Sequence, residues 1–524
     1  MQLRPLATCV SLLTGALVAL SGNTAQAAST RYEAESSPAV CTGTIDADWS
    51  GYSGSGFCNG SNAVGAHEQF TVNAPASGTA TLKVRFANGT TTARPANVTV
   101  NGAAAASASF EGTGTWGTWT TKTLTVPVNA GSNTIRITPT ASAGLPNIDY
   151  LDVETGDTTP PPTGSALYAA PNGSDSAAGT QAAPTTLTSA LTRVTPGGTI
   201  YLRGGAYRFS QTVTIPAGKN GTSSDRTELA AYPGETPVLN FAAQTEDPAN
   251  RGLAVNASYW HVRGLVVEHA GDNGIFVGGS NNVFERTVTR FNRDTGLQLS
   301  RMASTTPRDQ WPSNNLVLSA ESHDNADSDG EDADGFAAKL TVGSGNVFRY
   351  AVAHNNIDDG WDLYTKTDTG PIGPVTIEDS LAHDNGTLSD GSQNSNGDRN
   401  GYKLGGEDIG VDHVVRRNIA YNNGKHGFTY NRNLGTMTVS DNISIDNDQR
   451  NYSFDAGTSV FRNNVSCRSG SGTNDRIVGN TDSSNQFWSG SNGSRCSSYA
   501  GALRWSFADN GRLVVTFGGN AATR

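Results

Sequence analysis

The chain has 524 residues, with 47 acidic against 36 basic side chains and a formal net charge of −11. Charged residues at 16%, hydrophobic ones at 36% and 61 glycines exclude a disordered chain and a coiled coil, and describe a turn-rich β protein. So acidic a chain is a poor nucleic-acid binder, and outside the extreme N-terminus it has no apolar run of about 20 residues that would span a membrane. A monomer is expected.

Residues 1–27 read as an export signal: Arg4, then an apolar stretch over 12–20, then the small-x-small site Ala25-Gln26-Ala27. A secreted, extracellular protein is therefore expected, with 35 basic against 47 acidic side chains and a net charge of −12 once Arg4 is removed. Cys9 leaves with the signal. Of the three ways to pair the remaining four cysteines, Cys41–Cys58 and Cys467–Cys496 need the least chain travel.

A Pro/Thr/Gly linker at 155–165 separates a front module, 28–154, from a back module, 166–524. The front module has short alternating runs at 80–86, 97–100, 123–128 and 134–137, parted by turns such as Asn101-Gly102 and Asn129-Ala130-Gly131. That spacing predicts an antiparallel β-sandwich, and the absence of a nucleophile–base pair points to binding rather than catalysis. Tyr32-Glu33-Ala34-Glu35, Gly51-Tyr52-Ser53-Gly54, Gly131-Ser132-Asn133 and the ending at 147–152 resemble carbohydrate-binding modules of family 35, with family 6 close behind. The resemblance implies a structural Ca²⁺ on Glu33, Glu35 and Asp152, and a sugar site near Tyr52, Trp116 and Asn147, where an aromatic face can stack on a pyranose.

The back module opens with a short helix expected at 187–194 and a strand at 199–202. A repeat follows: Gly274, Gly296, Gly335, Gly360, Gly401 and Gly427 each precede residues that alternate between apolar and other. The first and third positions after each Gly are apolar or aromatic, as in Ile275/Val277, Trp361/Leu363 and Tyr402/Leu404, so they point into one core. A second repeated strand begins at Asn282, Asn315, Asn346 and His413. Fixed strand cores with loops of variable length predict an all-β parallel β-helix. Residues 468–524 are expected to pair onto the last rung as a cap.

Equal offsets on neighbouring rungs lie about 4.8 Å apart. The positions before the glycines therefore stack Asp334 on Asp359, with Asp358 and Asp362 beside them. A lone Asp before Gly is a turn former, but four carboxylates in register repel one another and call for a hard cation, Ca²⁺ rather than zinc. Lys403 stacks on Asp362 one rung further on, where a neighbouring Ca²⁺ would lower its pKa and free the amine to act as a base. Lys339 competes for that role.

Residues 334–340, 346–348, 355–363 and 400–406 resemble polysaccharide lyase family 9, and the likeness spans 168–461. It implies a right-handed β-helix with Ca²⁺ on Asp334, Asp358, Asp359 and Asp362, and Lys403 as the base. β-Elimination on polygalacturonate, leaving 4,5-unsaturated uronides, is the expected activity, and an acidic plant cell-wall polysaccharide the expected partner. Rhamnogalacturonan I is the alternative substrate; a polygalacturonase-type hydrolase or a purely glycan-binding protein fits less well. Lys339, Lys366, Arg399 and Arg432 are candidates for holding substrate carboxylates or the leaving oxygen, and the front module would suit uronic-acid ends.

Overall fold

In a computed structural model the described residues are 30–74, 78–129, 131–155 and 166–522. The expected export segment, the linker beyond Thr155 and the central residue of the 129–131 turn lie outside them. The chain forms two compact units, the first ending at Thr155.

In the first unit, strands from Thr30–Glu33 to Asn147–Thr155 build sheets of six and five strands. Leu82, Val84 and Phe86 of one sheet share a core with Phe70, Val98 and Ile135 of the other, which makes a sandwich. Arg94–Val100 and Ala103–Phe110 pair antiparallel through Asn101 and Gly102, both at positive φ (52° and 83°), the conformation a two-residue hairpin favours. Cys41 and Cys58 are disulfide-bonded.

The second unit winds through three parallel sheets in turn. The first holds twelve strands, from Leu167–Ala169 to Asn480–Thr481. The second holds ten, from Gly205–Arg208 to Val465–Cys467, and the third ten, from Val213–Ile215 to Arg476–Ile477. The glycine repeat is the third sheet, in register: Ile275 pairs with Leu297, then Phe336, Trp361, Tyr402 and Phe428. This inward column stacks its rings, with Trp361, Tyr402 and Phe428 centroids 4.8 and 4.6 Å apart. Glycine precedes each strand because the rungs close tightly there. A Cβ on Gly360 would lie 2.6 Å from the Gly401 carbonyl oxygen, and one on Gly401 2.7 Å from that of Gly427.

Two features escape the sequence pattern. The second sheet is one. The other is a set of buried asparagine ladders, in which Asn292, Asn325, Asn356, Asn385, Asn423 and Asn447 pass side-chain hydrogen bonds from rung to rung at 2.8–2.9 Å. The ladders satisfy corner amides that burial would otherwise strand. The helix Leu187–Arg193, capped by Thr186, buries Leu187, Ala190 and Leu191 in the core of the solenoid.

The C-terminal expectation holds in part. Arg476–Ile477 and Asn480–Thr481 pair onto the preceding rung, whereas Leu503–Phe507, Leu513–Phe517 and Asn520–Ala521 form their own antiparallel sheet. Leu513, Val515 and Phe517 pack on Val352, Leu381, Ile419 and Ile443, the outer face of the second sheet. That face is unusually apolar for the outside of a solenoid, and burying it drives the lateral docking. The Cys467–Cys496 disulfide ties the final rung to the segment leading into this sheet.

Candidate active site

The third sheet and the turns entering it place the acidic cluster. Asp334 and Asp359 stand on adjacent rungs before Phe336–Ala338 and Trp361–Asp362, and register sets Ala337 beside Asp362 and Asp362 beside Lys403. Asp334, Asp358 and Asp359 bring carboxylate oxygens to within 4.8 Å of one another, all buried. Asp362, also buried, adds a fourth carboxylate beside both lysines, its Oδ2 3.5 Å from Lys339 Nζ and 3.7 Å from Lys403 Nζ.

Main-chain and side-chain donors fix these groups. The Asp359 N–H donates to Asp334 Oδ1 (3.3 Å), Thr295 Oγ1 to Asp334 Oδ2 (3.1 Å), and Asn400 Nδ2 to Asp359 Oδ1 (2.9 Å). Burial, with mutual repulsion, pushes the carboxyls of Asp334 and Asp358 well above the usual carboxylate range, and that of Asp359 up to about 7. Asp359 Oδ2 and Asp362 Oδ1 are buried and accept no hydrogen bond. Hard oxygen donors, mutual repulsion and an Asp362 Oδ1 without a partner together fit a divalent hard cation such as Ca²⁺.

Lys403 Nζ lies 3.3 Å from Asp359 Oδ2 and 3.1 Å from Asp398 Oδ2, with the Tyr364 ring centroid at 5.4 Å. Burial alone would lower its pKa, but Asp362, Asp359, Asp358 and Asp334 outweigh burial and hold it as an ammonium above the ordinary lysine value. Sequence reasoning missed Asp398, which also pairs with Lys425 Nζ at 2.6 Å. Its signal was available, because Asp398 sits five residues before Lys403 at the head of the same rung.

An open cleft of about 390 Å³ runs past these groups, lined by Asp332, Lys339, Asp362, Tyr364, Lys366 and Lys403 among others. Lys339 and Lys366 are thus brought to the same cleft as the cluster. The stem of Arg399 runs along Gly386 and Gly424 with its Nε lacking a hydrogen-bond partner, whereas the exposed Arg432 forms a bidentate pair with Asp408.

In the sandwich unit the acidic set differs from expectation. Asp152 is held by Arg31 through two hydrogen bonds of 2.8 and 3.0 Å. Asp149, fully buried, also lies beside Glu33 and Glu35. The loop at 53–55 closes on all three, with Ser53 N–H donating to Asp149 (3.0 Å), Ser53 Oγ to Glu33 (2.6 Å) and Ser55 N–H to Glu35 (2.8 Å). Burial pushes Asp149 up to about 6, Arg85 Nε pairs with its Oδ2 at 3.0 Å, and Glu35 Oε2 is buried without a hydrogen-bond partner. Asp149 stands at a bulge between Ile148 and Tyr150, and Asp152, which the resemblance implied, lies beyond it on the same strand. Tyr52 and Trp119 both pack against Phe57, whereas Trp116 lies by Gly89 and Arg94, and Asn147 is buried.

Residues 167–464 match the family described as "Pel9A-like, right handed beta helix region", and residues 34–155 match "Carbohydrate binding module (family 6)". A protein named "Pectate lyase L" from Paenibacillus polymyxa (strain SC2) is 54% identical over 323 residues, 62% of this chain and 72% of that protein. The crystal structure of pectate lyase Pel9A is 31% identical, covers 66% of this chain and 86% of its own, and superposes with a TM-score of 0.57. A structure titled "Rhamnogalacturonan lyase" shares the fold at 23% identity, with a TM-score of 0.52 over 62% of this chain and 87% of its own. The stacked rungs, the buried aspartates facing a cleft and these likenesses agree, and the chain belongs to the Pel9A-like right-handed β-helix family of polysaccharide lyases, here joined to a carbohydrate-binding module.

Proposed function

We propose that this enzyme cleaves polygalacturonate by β-elimination, with Lys403 as base beside a Ca²⁺ held by Asp334, Asp358, Asp359 and Asp362. The carrying observation is the juxtaposition of a buried lysine amine with four buried carboxylates, two of whose oxygens have no hydrogen-bond partner. When bound, Ca²⁺ supplies charge neutralisation of a uronate carboxylate and cancels the anionic field that holds the Lys403 proton. Lys403 faces the cleft, where it takes the C5 proton of the sugar; the C5–H electron pair becomes the C4=C5 double bond and the C4–O bond breaks. The departing oxygen gains a proton from solvent. Lys339 and Lys366 present positive charge to neighbouring carboxylates, and Tyr364 offers a flat apolar face beside the base.

The reading extends to an extracellular location, supported by the disulfides Cys41–Cys58 and Cys467–Cys496. The family 6-like module is proposed to hold the same polymer, its uronic-acid ends in particular. The test follows the ultraviolet absorbance of unsaturated uronide during incubation with polygalacturonate, with Ca²⁺ and with a chelator. A Ca²⁺-dependent rise that Lys403→Ala abolishes is expected. New reducing ends without absorbance mean hydrolysis and overturn the mechanism. A rise only on rhamnogalacturonan replaces the substrate.

A further inference from the structure

We propose that Lys339 is a built-in counter-cation of the aspartate cluster, competing with the divalent ion for Asp334 and Asp362 and thereby setting its affinity. This rests on the cation reading of the cluster given above. Lys339 follows the strand Phe336–Ala338 on the rung of Asp334, and its side chain is 8% exposed. Its Nζ lies 2.9 Å from Asp334 Oδ2 and 3.5 Å from Asp362 Oδ2, with Asp332 Oδ1 at 3.7 Å. The first two atoms belong to carboxylates that would hold the ion.

The two lysines share Asp362 and otherwise divide the cluster. Lys403 covers the Asp359 side of the cluster, and Lys339 the Asp334 side. The ion and the Lys339 ammonium both seek the Asp334 and Asp362 oxygens, and two cations at such short range repel in a buried site. Loading the ion therefore releases Lys339 from its carboxylates toward the cleft that it already lines, where anionic substrate passes. Lys339 thus has two partners in succession: aspartates in the ion-free protein and uronate carboxylates in the loaded one.

The experiment is calorimetric titration of Ca²⁺ into the full chain and into Lys339→Met, which keeps most of the stem and removes the charge. An Asp359→Asn chain separates the cluster's binding from that of the sandwich unit. Lys339→Met should bind Ca²⁺ at the cluster about tenfold more tightly or better, and Lys339→Arg should stay near the unsubstituted chain. Equal or weaker binding by a folded Lys339→Met overturns the inference and leaves the Ca²⁺ reading standing. An unsubstituted chain that binds no Ca²⁺ at the cluster overturns both. Should Lys339→Met fail to fold, reductive methylation of the unsubstituted chain, read at Lys339 by mass spectrometry, decides the matter. Its rate should rise when Ca²⁺ is added, and an unchanged rate overturns the inference.

Discussion

The chain carries two acidic clusters, one in each unit, and they differ in how far sequence offset predicts them. In the β-helix, Asp334, Asp359 and Asp362 occupy repeat positions, so counting residues from each glycine already brings them together. In the sandwich, Glu33 and Glu35 lie on one segment, while the third acid comes from a strand more than a hundred residues away. Asp149 and Asp152 both lie on that strand, Asp149 at a one-residue bulge and Asp152 beyond it. Parallel stacking converts sequence offset into spatial neighbourhood; an antiparallel sandwich does so only where its strands stay regular.

The sharpest test of the first cluster is Lys403→Met. It should lower the elimination rate by about a thousandfold, within the range for loss of a general base, while the chain stays folded. Steady-state kinetics with circular dichroism checks both parts. Stacking itself is probed next. Asn356→Ala removes the partner that Asn325 and Asn385 share, and one unsatisfied buried amide should cost about 2 kcal/mol in urea unfolding.

The comparison would break if Asp152 mattered more than Asp149. Asp149→Ala should remove most of the thermal stabilisation that Ca²⁺ gives the sandwich unit, whereas Asp152→Ala should remove little, as followed by calorimetry of the full chain. The smallest effect concerns Glu68, a buried carboxyl beside the Cys41 strand with no partner for either oxygen. Burial raises it to about 9 from an ordinary value of 4.5, so between those values the folded chain binds a proton that the unfolded chain does not. That linkage makes its contribution to stability fall as pH rises from 4.5 to 9. Glu68→Gln should therefore be more stable than the unsubstituted chain at pH near 8. The gain should vanish as pH approaches 4.5, measured by denaturant midpoints across that range.

The third sheet was legible because its strands carry a strong apolar period behind a glycine that close rung contact requires. The second sheet was not, since triplets such as Val288-Thr-Arg and Glu321-Ser-His show no apolar period of their own. A different signal was present: Asn292, Asn325, Asn356, Asn385, Asn423 and Asn447 each fall two residues after a strand of that sheet. Such a column is recognisable as a hydrogen-bonded ladder once the rungs are known. Arg432 and Arg399 were chosen for being near Lys403 along the chain. Their partners, Asp408 for one and the path along Gly386 and Gly424 for the other, come from loops whose course no offset encodes.

By itself the sequence determined the all-β class, the solenoid register, the four aspartates and Lys403, because a repeated strand imposes the same displacement at every turn. Tertiary structure alone decided that Lys339 leans onto Asp334 and Asp362, that Asp398 joins Lys403, and that Asp149 lies beside Glu33 and Glu35. It also placed the C-terminal sheet against the flank of the solenoid. Those arrangements depend on which buried charges find partners and which apolar faces find cover, and both are settled by packing between segments that share no period.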